Sequence, residues 1–259
     1  MKQGDFTQVA KYYHNRPAYS AFLLEKLIAC VKAQDLPMHS FCVAEIGAGT
    51  GKLSKMLANF GLKLTCVEPN QNMRNEGIAY TQSCPIIWRE GSGEDTLLES
   101  GSYDWVVMAS SFHWTDPSKS LPEFARILKP QGYFSALWNP RNIKEDSVFY
   151  EIESEIKRIV PELQRVSSGS QNAKKYEEVL ISTGHFKDCF FMECDYVEIM
   201  DKSRYMGVWH SVNDIQAQAG EVRWQEILKM IEQKIAGLAL IEIPYKIRAW
   251  SAQKITHQS

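Results

Sequence analysis

The strongest constraint on the fold is a junction at residues 41–61. A short, nearly continuous apolar run, FCVAEI (Phe41 to Ile46), breaks directly into Gly47-Ala48-Gly49-Thr50-Gly51. Such a run suits a strand buried on both faces, as parallel sheets require. Beyond the glycines, Leu53, Met56, Leu57 and Phe60 recur at i, i+3, i+4 and i+7, and Gly61 follows them. That spacing predicts a helix with one apolar face and a glycine stop. The unit is strand, tight loop, helix.

The alternation then repeats. Strands are expected at Leu64 to Val67, Pro85 to Trp88, Tyr103 to Ala109 and Gly132 to Trp138, with helices at Gln71 to Tyr80 and Pro117 to Leu128. This rhythm predicts a doubly wound α/β sheet, whose ligands bind at the carboxyl ends of the strands where the strand order reverses. After Asn139 the pattern changes. Helices are expected at Ser147 to Val160, Lys174 to Ser182 and Val222 to Ile235, a polar loop at SSGSQNAKK, and strands at Phe190 to Ile199 and Ile241 to Ala252. We read one domain over 1–259, with a cofactor-binding core at about 38–139 and helical insertions at about 140–186 and 201–238 as a substrate lid.

The glycine loop restricts the ligand. A Walker phosphate loop needs a glycine five residues before the glycine of Gly-Lys and a hydroxyl residue after the lysine. Gly51-Lys52 is preceded at that position by Ile46 and followed by Leu53. A dinucleotide fingerprint needs a third glycine where Lys52 stands. What remains is GxGxG with Glu45 just ahead of it, and a carboxylate there repels a diphosphate and attracts a cation. S-adenosylmethionine combines an ammonium and a sulfonium with a carboxylate that a helix N-terminus can face. Glu68, 21 residues after Gly47 at the end of the second strand, stands where a carboxylate can hold both ribose hydroxyls.

Charge and cysteine content narrow the partners. With 29 basic against 31 acidic residues, the chain has no basic field with which to condense onto nucleic acid. No window approaches the roughly 20 apolar residues of a membrane span, and no signal-peptide core leads the sequence. The 6 cysteines lack CxxC spacing, which suits a reduced, cytoplasmic protein without a metal site.

Four blocks, VAEIGAGTGKLSKML, CVEPNQNM, EGSGEDTLL and YDWVVMASSFHWTD, followed by RILKPQGYFSALW, resemble the seven-stranded, Rossmann-like S-adenosylmethionine-dependent methyltransferases. The small-molecule branch that includes trans-aconitate methyltransferase-like proteins is the most similar. FTQVAKYYHNRPAYS looks like that branch's Arg-Pro-x-Tyr segment, and IEIPYKIRAWSAQK like its final antiparallel strand. The resemblance implies that Glu45, Gly47, Gly49 and Gly51 line the methionine part, that Glu68 holds the ribose, and that Met73 lies against the adenine. Gly93 and Glu94 would meet the adenine edge, with Ser92 standing where the family often has an aspartate. Ala109 would pass the sulfonium; Ser110, Phe112 and Trp114 would face substrate, with His113 available as a base. Tyr13, Arg16 and Tyr19 would close over cofactor or substrate. The implied activity is methyl transfer to a small molecule, by a monomer or a homodimer. A cofactor-binding regulatory partner without turnover, or an NAD-linked oxidoreductase, are the alternatives.

Overall fold

The computed structural model describes residues 6–164 and 176–256. SSGSQNAKK, and with it the start of the helix expected from Lys174, lies outside them. Among the described residues the chain divides into two compact units. Residues 19–139, 176–194 and 247–256 make the sheet unit, and residues 6–18, 140–164 and 195–246 make the helical unit.

In the sheet unit, β1 (Cys42–Ile46), β2 (Lys63–Val67), β3 (Ile86–Arg89), β4 (Tyr103–Ala109) and β5 (Leu128–Trp138) are joined by α2 (Lys52–Asn59), α3 (Gln71–Tyr80) and α4 (Pro117–Ile127). α1 (Ala21–Val31) precedes them; α6 (Tyr176–Ile181) and the first part of β6 (Phe186–Met200) follow. β7 (Ile241–Lys254) closes the sheet, whose order is β3-β2-β1-β4-β5-β7-β6. The pairs from β3 to β5 are parallel, and β7 lies antiparallel to β5. This is the doubly wound, mostly parallel sheet expected, and the order reverses beside β1, between β2 and β4. Leaving the carboxyl end of β1, the chain therefore enters the crevice where such sheets bind ligands.

Burial explains the strand readings. Val43, Ala44 and Ile46 of β1 and Trp105 to Met108 of β4 are buried, so no polar face interrupts either run. The core gathers Ile46, Val106, Phe112, Phe124, Phe134, Trp138, Tyr176 and Trp250. α1 was not expected, yet Leu24, Leu27, Ile28 and Val31 keep helical spacing, and the Ser20 hydroxyl accepts the Leu23 N–H at 3.3 Å as its cap. α6 packs against α4 within this unit and is not part of an insertion.

In the helical unit, α5 (Val148–Ile159) and α8 (Asn213–Ile235) pack together and α7 (Lys202–His210) packs on α8. The helix expected at Val222 is the second half of α8, which kinks at Gly220 (φ 70°, ψ 169°). α7 was missed because the aromatic residues Tyr205 and Trp209 carry its buried face. Asp201 nevertheless caps it in the ordinary way, accepting the Arg204 N–H at 2.7 Å. No helix among the described residues is long and apolar enough to cross a membrane.

Candidate active site

The loop after β1 turns on three glycines with left-handed backbones, φ +66° at Gly47, +56° at Gly49 and +77° at Gly51. Gly51 is the N-cap of α2. A side chain on Gly47 would meet Ser111 Oγ at 2.8 Å, so glycine is required there for space as well as for φ. The Gly47 and Ala48 N–H groups donate to the Val67 carbonyl. Gly49 does something different: its N–H donates at 2.9 Å to Glu68 Oε2, while the Asn70 N–H donates at 2.9 Å to Oε1. Two of the roughly four acceptor positions of a carboxylate are thus used, one on each oxygen, and the two left match the donors of a vicinal diol. Burial raises the Glu68 pKa, against the pull of the Asn70 and Gly49 N–H groups and of Arg74.

Met73 joins this loop from α3, its Cε 3.4 Å from where a Gly49 side chain would begin. The structure therefore brings Gly47, Gly49, Gly51, Glu68 and Met73 together at the carboxyl ends of β1 and β2. Gly93 is pressed against Thr115, and the Ser92 hydroxyl accepts the Glu94 and Asp95 N–H groups, both at 3.2 Å, which closes the turn. The Glu94 side chain accepts the Asp116 N–H at 2.8 Å, tying that turn to the start of α4.

Glu45 does not sit as a charged group facing ligand. It is 2% exposed, the Ser54 hydroxyl donates to its Oε2 at 2.6 Å, and the Cys66 thiol lies 3.8 Å from the same oxygen. Burial pushes its pKa to about 8, so the acid is largely neutral at pH 7. The repulsion of a diphosphate expected from Glu45 therefore has little charge behind it.

At the end of β4, Ala109 is half-buried and Ser110 adopts φ 55°, a conformation worth roughly 1–3 kcal/mol of strain in a non-glycine residue. The Ser110 N–H donates to the Leu137 carbonyl at 2.7 Å and its Oγ lies 3.0 Å from the Tyr19 hydroxyl. The short helical turn Phe112–Trp114 then separates three aromatic neighbours. Phe112, expected at the substrate, is 1% exposed and packs on Phe124, Phe134 and Tyr176; it is a core residue. Trp114 is 43% exposed.

His113 is held by the strand behind it. The Trp138 indole N–H donates to its Nδ1 at 3.2 Å, which makes Nδ1 the acceptor and leaves the proton on Nε2. Nε2 is buried and has no hydrogen-bond partner among the described residues. Burial lowers the ring's pKa to about 4. A ring in this state has its one lone pair engaged by Trp138 and holds a proton only weakly, so the base role read from the sequence does not fit. We expect the His113 imidazole, followed by NMR, to titrate near pH 4; a midpoint near 6.5 would remove this assignment. The sign follows from linkage. The unfolded chain takes up the proton first, so stability is complete above pH about 6.5 and declines as pH falls toward 4.

Tyr13 and Arg16 belong to the helical unit, where the guanidinium lies 5.1 Å from the Tyr13 ring centroid; Tyr19 belongs to the sheet unit. The trio read together from the sequence is thus divided.

Comparison with known proteins bears on this arrangement. The family model described as a methyltransferase domain matches residues 44–136, the stretch from β1 to β5 that builds the loop, Glu68 and the β4 turn. These residues are a methyltransferase domain. An uncharacterized methyltransferase of Mycobacterium tuberculosis is 33% identical over 135 residues, covering 52% of this chain and 51% of that protein. The matched region thus spans about half the length of that relative. A candidate type II methyltransferase of Anaeromyxobacter dehalogenans shares the fold across 92% of this chain and 97% of its own, with TM-score 0.63 and 18% identity. The phosphoethanolamine N-methyltransferase 2 of Haemonchus contortus, solved with S-adenosyl-L-methionine, aligns over 99% of this chain and 59% of its own, with TM-score 0.55 and 17% identity. Within the methyltransferase domain, sequence reasoning missed Ser54 and Ser111. The bond from Trp138 to His113 was missed as well.

Proposed function

We propose that the chain is an S-adenosylmethionine-dependent methyltransferase acting on a small-molecule acceptor. The observation that carries this reading is the hydrogen bond from the Gly49 N–H to the Glu68 carboxylate. A loop amide that a nucleotide-phosphate fold turns onto its phosphate is here committed to an acid, which favours a diol and a cation and opposes a diphosphate.

Glu68 would hold the ribose hydroxyls, Met73 would cover the adenine, and the glycine loop would let the backbone approach the methionine part. When bound, the cofactor supplies an electrophilic methyl group on sulfur with a thioether as leaving group. The chain's own contribution is then alignment and exclusion of water. Ser110, fixed between Leu137 and Tyr19, sets where β4 ends beside the acceptor. His113, neutral and with its Nδ1 engaged by Trp138, would offer an acceptor an Nε2–H donor and would not take its proton. That favours an acceptor already anionic at working pH, such as a carboxylate.

Thermal shift with S-adenosylhomocysteine, NADH and ATP tests the cofactor. Stabilisation by S-adenosylhomocysteine alone is expected, and stabilisation by NADH alone would overturn the reading. A screen of small acids, phenols and amines for S-adenosylhomocysteine release then tests turnover, with the acids expected to lead.

A further inference from the structure

Arg74 is the fourth residue of α3, and its charge runs against its position. The N-terminal turn of a helix carries the positive end of the dipole, which disfavours a cation. Nothing acidic stands in that turn to offset it, since α3 opens Gln71-Asn72-Met73-Arg74 behind the Asn70 cap. The side chain is nevertheless held, with only 14% of its surface exposed. It reaches back past the start of its own helix. Nη1 donates to the Glu68 carbonyl at 2.6 Å and lies 3.4 Å from the Pro69 carbonyl, while Nη2 donates to Glu90 Oε2 at 3.0 Å.

These bonds fall on the residue whose carboxylate faces the glycine loop. The Glu68 N–H donates to the Arg89 carbonyl at 3.1 Å, its own carbonyl accepts from Arg74, and its two carboxylate oxygens accept from Gly49 and Asn70. The amides thus hold the oxygens, and Arg74 holds the main chain from which they project. Asn70 in turn accepts the Asn72 and Met73 N–H groups through Oδ1, so Glu68 and Met73 depend on one turn. The pair with Glu90 contributes little, because that carboxylate is 72% exposed. The bonds to the carbonyls are charge-assisted and mostly covered, and they are the stronger part.

Two further points bear on the role. A dinucleotide site for a 2′-phosphate also uses an arginine near the ribose acid, but here Nη1 and Nη2 are turned onto carbonyls and Glu90. The positive charge also opposes the protonation that burial favours at Glu68. We propose that Arg74 is a positioning residue of the cofactor site, fixing the Glu68–Asn70 turn by its carbonyls so that the free acceptor positions of the Glu68 carboxylate meet the ribose. Naming the ribose rests on the function proposed above; the brace on the turn does not.

The first test needs no cofactor. Amide hydrogen exchange, followed by NMR on the ligand-free full chain, should be at least about fivefold faster at Gly49 and Asn70 in Arg74→Gln, with the amides of β4 and β5 unchanged. Arg74→Lys, which keeps a charged donor, should restore part of the protection, and Glu90→Gln should leave both amides within about twofold of wild type. The second test is calorimetry with S-adenosylhomocysteine. Arg74→Gln should weaken binding at least about fivefold in the wild-type background but less than about twofold in Glu68→Ala, because the residue acts through Glu68. A substitution that merely loosened the fold would cost the same in both backgrounds. Unchanged exchange at both amides, or equal losses of affinity in the two backgrounds, would overturn the proposal. Failure of the wild type to bind S-adenosylhomocysteine would instead overturn the cofactor reading, and the exchange rates would still decide whether Arg74 holds the turn.

Discussion

Glu45→Gln should make the protein more stable at pH 8 and leave it nearly unchanged at pH 5. Burial holds the Glu45 acid protonated up to pH about 8, whereas in the unfolded chain it ionises near its ordinary 4.5. The folded state therefore binds more protons than the unfolded state between those values. The stability linked to this group is complete below pH 4.5 and is lost as pH rises toward 8, by about 1.4 kcal/mol per unit at most. Over pH 5 to 8 the loss is on the order of 2–4 kcal/mol. Glutamine has nearly the shape of the neutral acid, keeps an oxygen for the Ser54 hydroxyl, and does not titrate. Denaturant unfolding across that range should show a gap between variant and wild type that opens with pH. A gap of constant size, or a variant that is weaker at pH 8, would show that Glu45 is ionised in the folded protein. Any cationic ligand that recruits Glu45 as an anion must also displace this proton. Calorimetry in buffers of different ionisation enthalpy would then register proton release on cofactor binding at pH 7.

Glu45 also marks the limit of what is legible in such a sequence. Its place before GxGxG can be read from one line of residues, but the direction of its carboxyl cannot. In the structure Ser54, on the first turns of α2, reaches back and takes it under the helix. The centre of the sheet was legible because β1 and β4 are buried on both faces and read as nearly unbroken apolar runs, and because the glycines needed positive φ at a fixed spacing. Glu68 was legible for a related reason, since a parallel strand of known length ends at a known distance from the loop. The turn after β4 was not. Phe112, His113 and Trp114 are equally aromatic in sequence, and only the short helical turn assigns the first to the core and the last to the surface. Nor did the sequence carry the tautomer of His113, which depends on Trp138, 25 residues away at the end of β5. Arg16 was picked out by resemblance, whereas α7, whose short buried face is Tyr205, Gly207 and Trp209, gave too little apolar pattern to be read.

Glu68→Ala should weaken S-adenosylhomocysteine binding by about 1–3 kcal/mol, or roughly fivefold to 150-fold in Kd, the scale for losing hydrogen bonds to a charged group. Two losses act together. The diol loses its acceptors, and the Gly49 and Asn70 N–H groups lose the carboxylate that now orders the loop. Glu68→Gln separates them. An amide presents one acceptor oxygen and one NH2, so it can keep either the Gly49 or the Asn70 bond but turns a donor toward the other. If loop order dominates, glutamine should be nearly as damaging as alanine; if the ribose contacts dominate, it should recover a substantial part, because an amide can still pair with a hydroxyl. A 2′-deoxy analogue of S-adenosylhomocysteine completes the cycle. It should lose affinity for the wild type and lose little more for Glu68→Ala, since the contact is already gone. Equal losses for both proteins, or an alanine variant that binds S-adenosylhomocysteine as tightly as wild type, would take the ribose away from Glu68 and leave that residue as a brace for the loop.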